Sequence, residues 1–104
     1  MKRVKRRYLA LLIESESEFT ERDVIDAVWA AVTKLYGEVG ASLTGLALVN
    51  YYSEEKIAVV RVLLSAQDMM KASLSTISAI GGKEASVHVL AVSGTLKALF
   101  RKTT

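Results

Sequence analysis

The side chains able to do acid–base or metal chemistry are few. His88 is the only histidine, and no partner stands at a spacing that would make it a metal ligand or a general base. Glu14, Glu16 and Glu18 alternate with serines. Carboxylate oxygens are what a hard cation such as magnesium prefers. Three acids just ahead of a helix start are also favoured by the helix dipole alone, and solvated surface acids are the simpler account. There is no cysteine, which excludes disulfides, thiolate metal sites and cysteine nucleophiles. No glycine-rich phosphate loop, Gly-x-Ser-x-Gly elbow or His-Glu-x-x-His pair occurs. Trp29, Met69 and Met70 fall at helical spacing and read as core. No catalytic residue and no metal site is expected.

The cations are distributed differently. Lys2, Arg3, Lys5, Arg6 and Arg7 open the chain and Lys97, Arg101 and Lys102 close it, eight of its fourteen basic residues. Residues 8–96 hold the other six against all eleven acids, a net −5 between ends of +5 and +3. If the ends meet in space, that segregation points at a polyanion. Ser93, Gly94 and Thr95 open a last short helix, and the glycine there would let backbone N–H groups approach an anion closely. Lys97 and Arg101, four apart, share one face of that helix. The eight cations with Ser93, Gly94 and Thr95 form the candidate RNA-binding set.

The elements that must position them are legible in order. Arg7 to Ile13 reads as a strand. Thr20 is placed to cap a helix, Asp23 is the reciprocal acid of a capping box, and Phe19 can staple to Val24. Val24, Ile25, Val28, Trp29, Ala31, Val32, Leu35 and Tyr36 form an amphipathic stripe, ended by Gly37. Leu43 to Tyr52 and Ile57 to Leu64 read as strands joined across Ser53–Lys56, a hairpin. Ser65, Asp68 and a Leu64–Met69 staple predict a second capped helix, with Met70, Leu74, Ile77 and Ile80 on its stripe and Gly81-Gly82 as its stop. Ser86 to Ser93 is a fourth strand, followed by the helix that carries Leu96, Leu99 and Phe100 on one side.

The β-α-β-β-α-β order, with a C-terminal helix, predicts an α+β sandwich of the ferredoxin-like or RNA-recognition (RRM-like) type. Its four-stranded antiparallel sheet would have strand order 4-1-3-2. The end of the last strand then lies beside the beginning of the first, so the basic termini share one edge. A sheet covered on one face alternates apolar and polar residues. Here Ile57, Val59 and Leu63 oppose Ala58, Val60, Val62 and Leu64; Leu46 and Leu48 oppose Ala47, Val49 and Tyr51; Val87 and Val89 oppose Leu90 and Val92. Both faces are apolar, and the last helix is too short to cover the second alone, which predicts a protein partner or self-association.

At 104 residues and 51% apolar the chain has room for one core, a single domain over residues 1–104. Its apolar runs are too short to span a bilayer, and Glu14 to Glu18 interrupt anything resembling a secretory signal. No membrane association and a cytoplasmic location are expected. Leu9 to Ile13 of the first strand and Lys56 to Val62 of the third lack the aromatics on which bases stack in RNA-recognition domains, so recognition of backbone and shape by the basic edge fits better than a base-binding sheet. Two other classes remain open: a ferredoxin-like ligand-sensing or regulatory module that dimerises through its sheet, and a purely structural adaptor.

Three segments in order resemble a known family. Lys5-Arg6-Arg7-Tyr8-Leu9, then Leu35-Tyr36-Gly37-Glu38-Val39-Gly40-Ala41 with Gly45-Leu46-Ala47-Leu48-Val49 and Tyr51, then Val92-Ser93-Gly94-Thr95-Leu96-Lys97 are similar to the ribonuclease P component 2 family, the archaeal form of Pop-five. The resemblance runs from about residue 3 to 102. It implies a subunit of the ribonucleoprotein that removes 5′ leaders from precursor tRNA, in which the RNA performs a magnesium-dependent cleavage. It further implies binding to the catalytic domain of ribonuclease P RNA, with precursor tRNA met only indirectly. Pairing with the companion ribonuclease P protein component 3, and a tendency to self-associate, are also implied. The protein itself would hold no cofactor.

Overall fold

The computed structural model describes residues 5–103, with side chains placed through Lys102, so Lys2 and Arg3 lie outside the described residues. Strand β1 (Arg6–Glu14) leads to helix α1 (Glu21–Ser42), then to the hairpin of β2 (Ala47–Tyr52) and β3 (Ile57–Leu63). A 3₁₀ turn over Leu64–Ala66 precedes α2 (Gln67–Leu74). The two-residue strands β4 (Ala79–Ile80) and β5 (Lys83–Glu84), the long strand β6 (Ser86–Ser93) and α3 (Leu96–Thr103) complete the chain. The main sheet runs β2-β3-β1-β6 with every neighbouring pair antiparallel. The last long strand thus lies beside the first.

The α1 start follows from its sequence. Thr20 Oγ1 accepts the Asp23 amide at 3.1 Å while Asp23 Oδ2 accepts the Thr20 amide at 3.0 Å, so two donors without helical partners are satisfied reciprocally. Val24, Val28, Ala31 and Val32 face the sheet and are buried. Gly37, expected to end the helix, instead kinks it: its φ of 75° and ψ of 173° lie in a region that only glycine occupies readily, and helical turns resume beyond it to Ser42.

The second helix departs further from expectation. Leu64 donates its amide to Lys5 O at 2.9 Å, so the chain stays tied to β1 where a capping box was expected. Ser65 makes no cap bond, and α2 begins at Gln67 without a side-chain cap. It ends at Leu74 because hydroxyls take its carbonyls: Ser73 Oγ donates to Met69 O, Ser75 Oγ to Ala72 O, and Thr76 Oγ1 to Ser73 O. Gly81 and Gly82, both at positive φ, do not stop a helix. They form the two-residue turn of the β4–β5 hairpin, where such conformations match the strand twist.

Two bulges correct the expected sheet faces. The β2–β3 register slips between Leu48 and Asn50, which returns Tyr51 to the side of Leu46 and Leu48. Leu90 is the extra residue of β6 where Ala10 pairs with Ala91 but Leu11 with Val89, so Val92 rejoins Val87 and Val89. One face carries the main core under α1 and α2, with Leu9, Leu11, Ile13, Val60 and Met70 at its centre. The opposite face carries Ala10 and Val59 beneath Leu99 of α3, flanked by Tyr8, Ala91 and Leu96. Tyr52 meets Phe100 edge to face at a centroid distance of 6.5 Å. As expected, α3 does not cover this face completely: Leu90, Val49, Phe100 and Tyr52 remain substantially exposed.

A cationic edge and its candidate RNA-binding residues

Sheet pairing places Tyr8 opposite Ser93, and the residues before one and after the other converge. Arg7 Nη1 lies 3.1 Å from where a Cβ on Gly94 would stand. A side chain at position 94 would therefore displace the guanidinium, which also donates to Arg6 O at 3.2 Å. Thr95 Oγ1 accepts the Ala98 amide at 3.2 Å, and Ser93 Oγ accepts the Thr95 amide at 3.4 Å. These bonds fix the start of α3 and use two of the amides an anion could have taken; those of Leu96 and Lys97 have no partner among the described residues. Lys102 folds back, donating to Val92 O at 2.8 Å. Arg6, Lys97 and Arg101 are exposed and make no side-chain hydrogen bond or ion pair among the described residues. Of the sequence-derived set, the structure gathers Arg6, Arg7, Ser93, Gly94, Thr95 and Lys97 around the end of β6, with Lys5 directly preceding β1 and Arg101 and Lys102 one turn along α3.

One cation was missed. Arg61 on β3 pairs with Tyr8 on one side and Ala47 on the other. Strand alternation from Val59 puts it on the α3 face. Its Nε is buried without a hydrogen-bond partner. In the sequence it is merely the residue that interrupts the apolar run Ile57–Leu64, and an arginine at such a place is the available signal.

The acids behave otherwise. His88, expected to lack a partner, has one: its Nε2 is 2.9 Å from Glu14 Oε2, a contact across adjacent strands that sequence separation hides. Both side chains are more than half exposed, so the pair sits in water and not in a dry site. Ser15 Oγ donates to Glu84 O at 2.6 Å, Lys56 Nζ donates to Ser15 O, and Ser15 Oγ accepts the Ser17 amide. A recess of about 840 Å³ beside them is lined by Glu14, Glu16, Ser78, Glu84 and Ser86. Among the described residues no group of three His, Cys, Asp or Glu is disposed to hold a metal ion. Hydrogen bonds from the Thr20 backbone and hydroxyl hold the Asp23 carboxyl below its ordinary pKa, and burial raises that of the Tyr51 phenol. Neither group faces the cationic edge.

Fold and edge together define a small α+β sheet protein with helices on both faces and a cluster of cations where its two termini meet. A profile of the Rpp14/Pop5 family matches residues 7–104, and the chain belongs to that family. Among curated relatives, Ribonuclease P protein component 2 of Pyrococcus horikoshii is 31% identical over 96% of this chain and 83% of its own length. The protein of the same name from Methanosarcina barkeri is 33% identical over 91% of this chain and 69% of its own. In fold, the chain matches one in the cryo-EM structure of yeast ribonuclease MRP with a TM-score of 0.70. That match spans 99% of this chain and 94% of the other at 18% identity. Among the described residues no helix is long and apolar enough to cross a membrane.

Proposed function

We propose that this chain is an RNA-binding protein subunit of ribonuclease P that assists removal of 5′ leaders from precursor tRNA by stabilising the catalytic RNA. The observation that carries the reading is the meeting of the two basic ends, with Arg7 lying against Gly94 and Lys97 and Arg101 exposed on the helix that follows. The names of the archaeal relatives support it. On this reading the frame is of the ferredoxin-like type and the cleavage belongs to the RNA and its magnesium, so the chain acts in an endoribonuclease without being the catalyst. Its direct ligand is the catalytic domain of ribonuclease P RNA, in the cytoplasm, and precursor tRNA is reached through that RNA. Ribonuclease P protein component 3 or a second copy of the chain would cover apolar surface that α3 leaves open, such as Leu90 and Val49.

The reason for assistance is electrostatic. Cations at the edge neutralise phosphates that magnesium would otherwise screen. Added with its companion subunit to the cognate RNA, the chain is expected to lower the magnesium concentration needed for precursor-tRNA cleavage. The isolated chain is expected to cleave nothing. A magnesium requirement that stays unchanged would overturn the reading. Sedimentation of the same preparation addresses the apolar face: self-association relieved by the companion is expected, whereas a clean monomer at high concentration would leave α3 as its whole cover.

A further inference from the structure

The α3 face of the sheet holds cations from three elements. Strand alternation places Arg6 on the same face as Tyr8 and Ala10, one step from Arg61 across the β1–β3 ladder, where Arg6 pairs with Leu63 and Tyr8 with Arg61. Helix α3 starts beside Tyr8 and crosses the sheet. Lys102 reaches the β6 carbonyl of Val92 on one flank, and Phe100 meets Tyr52 of β2 on the other. At 100° per residue, Lys97 stands about 60° from Phe100 and away from Lys102, while Arg101, midway between Phe100 and Lys102, stands on the outer side of the helix. Lys97, in the first turn of α3 just beyond the Tyr8–Ser93 pair, lies at the same end of the sheet as Arg61, which pairs with Tyr8. The carboxylates of β1 and of the β2–β3 turn, Glu14, Glu54 and Glu55, stand at the opposite end of the strands.

Arg61 is the unusual member. Its Nε is covered and unpartnered, and no hydrogen bond or ion pair reaches its guanidinium among the described residues. An arginine partly withdrawn from water without an acceptor is costly to the free protein. An acceptor brought by a ligand would recover that cost. The planar fork suits the two oxygens of a phosphate, and its fixed stem on a central strand leaves little freedom to lose on binding. Arg6, on the same face of the neighbouring strand, and Lys97, in the first turn of α3, are exposed charges at the same end of the sheet.

We infer that Arg61 is the anchor of a phosphate-binding corner on the α3 face, gripping one phosphate of the RNA backbone while Arg6 and Lys97 hold its neighbours. The inference rests on the RNA-binding reading above and deepens it: the RNA passes over the corner between α3 and the β2–β3 strands, and not solely along the edge of the termini. It needs no stacking aromatics, because the backbone is what is held.

The test compares three full-length variants binding the cognate ribonuclease P RNA across a salt series, each checked by thermal unfolding. Arg61→Met keeps the aliphatic bulk and removes the guanidinium. It should weaken binding at least about tenfold, the loss of one charge-assisted contact, and flatten the log-affinity against log-salt slope by about 0.7–0.9. It should unfold no earlier than the parent chain. Arg61→Lys keeps the charge and should retain the slope while still losing affinity, because a point charge cannot reproduce the fork. Arg7→Ala, on the opposite side of β1, reads the terminal edge separately. Should Arg61→Met bind like the parent while Arg7→Ala is weakened, the corner is wrong and the edge stands. If the unaltered chain itself fails to bind, the RNA-binding reading falls first.

Discussion

The two ends of β1 carry opposite charges, and they differ in which side chains are paired. At the Glu14 end, polar groups have found one another: Glu14 with His88, Ser15 with Glu84, Lys56 with Ser15, Thr20 with Asp23. At the Arg6 end, Arg7 and Lys102 donate to backbone carbonyls, while Arg6, Arg61, Lys97 and Arg101 have no side-chain partner among the described residues. Buried polar groups in folded proteins are as a rule satisfied, and exposed charges add little to stability when paired and less when alone. Partners made within the chain therefore describe architecture. Cations gathered without them describe a surface kept available. The comparison supports the proposed reading, in which the basic end serves the RNA.

The largest effect should come from emptying the basic end. Replacing Arg6, Arg7, Lys97 and Arg101 together with alanine is expected to weaken RNA binding by orders of magnitude at low salt and to flatten the log–log salt slope by about 0.7–0.9 for each lost contact. Thermal unfolding should hardly move, since these side chains contribute no ion pair among the described residues. An unchanged slope would place the RNA site elsewhere and break the contrast between the two ends.

Much of this arrangement is legible in the sequence, and most of the failures come from distant strands or from bulges that spacing does not show. The α1 cap, the β2–β3 hairpin, the bounds of β6 and the helix after Thr95 depend on neighbours within a few residues, which spacing reveals. The second helix is where it was expected, with Met70 and Leu74 buried, but its cap and extent differ. Its N-terminal turn is governed by a bond from Leu64 to Lys5, fifty-nine positions away, and its C-terminal end by hydroxyls that compete for carbonyls. The expected faces of β2 and β6 failed because a bulge shifts every later side chain to the other side. In the candidate site, the terminal cations were conspicuous as clusters. Arg61 was not: alone in an apolar strand, it acquires significance only when the sheet sets it beside Tyr8 and α3 is laid across the same face. The Glu14–His88 pair was invisible for the same reason.

The acidic end should prove almost silent in catalysis. With the holoenzyme reconstituted, His88→Ala and the triple Glu14, Glu16, Glu18→Ala variant are expected to leave single-turnover cleavage within a few-fold of the parent. Loss of a true general acid or base costs ~10²–10⁴, and the exposed Glu14–His88 contact resembles a surface pair and not a poised one. A drop of that larger size, with RNA binding intact, would turn the acidic end into a chemical site.

The smallest effect, confined to stability, should come from the α1 cap. Thr20→Ala removes the hydroxyl that accepts the Asp23 amide and is expected to cost about 1 kcal/mol in urea unfolding. It should leave RNA affinity unchanged, because the cap lies beyond the acidic end of β1. The same bonds give the cap a pH dependence of definite sign. The Thr20 backbone amide first, then its hydroxyl, hold the folded-state pKa of Asp23 below the ordinary 3.8, partly opposed by desolvation and aided least by the charge of Lys83. A carboxylate whose pKa is depressed by folding contributes its stability above the unfolded-state value and loses it as pH falls through the folded-state value. The parent chain should therefore lose this contribution only below about pH 4, while Asp23→Asn, which cannot titrate, should be less stable at neutral pH and show a shallower acid decline. An Asp23→Asn chain with the parent's acid profile would mean that the cap is held by Thr20 alone.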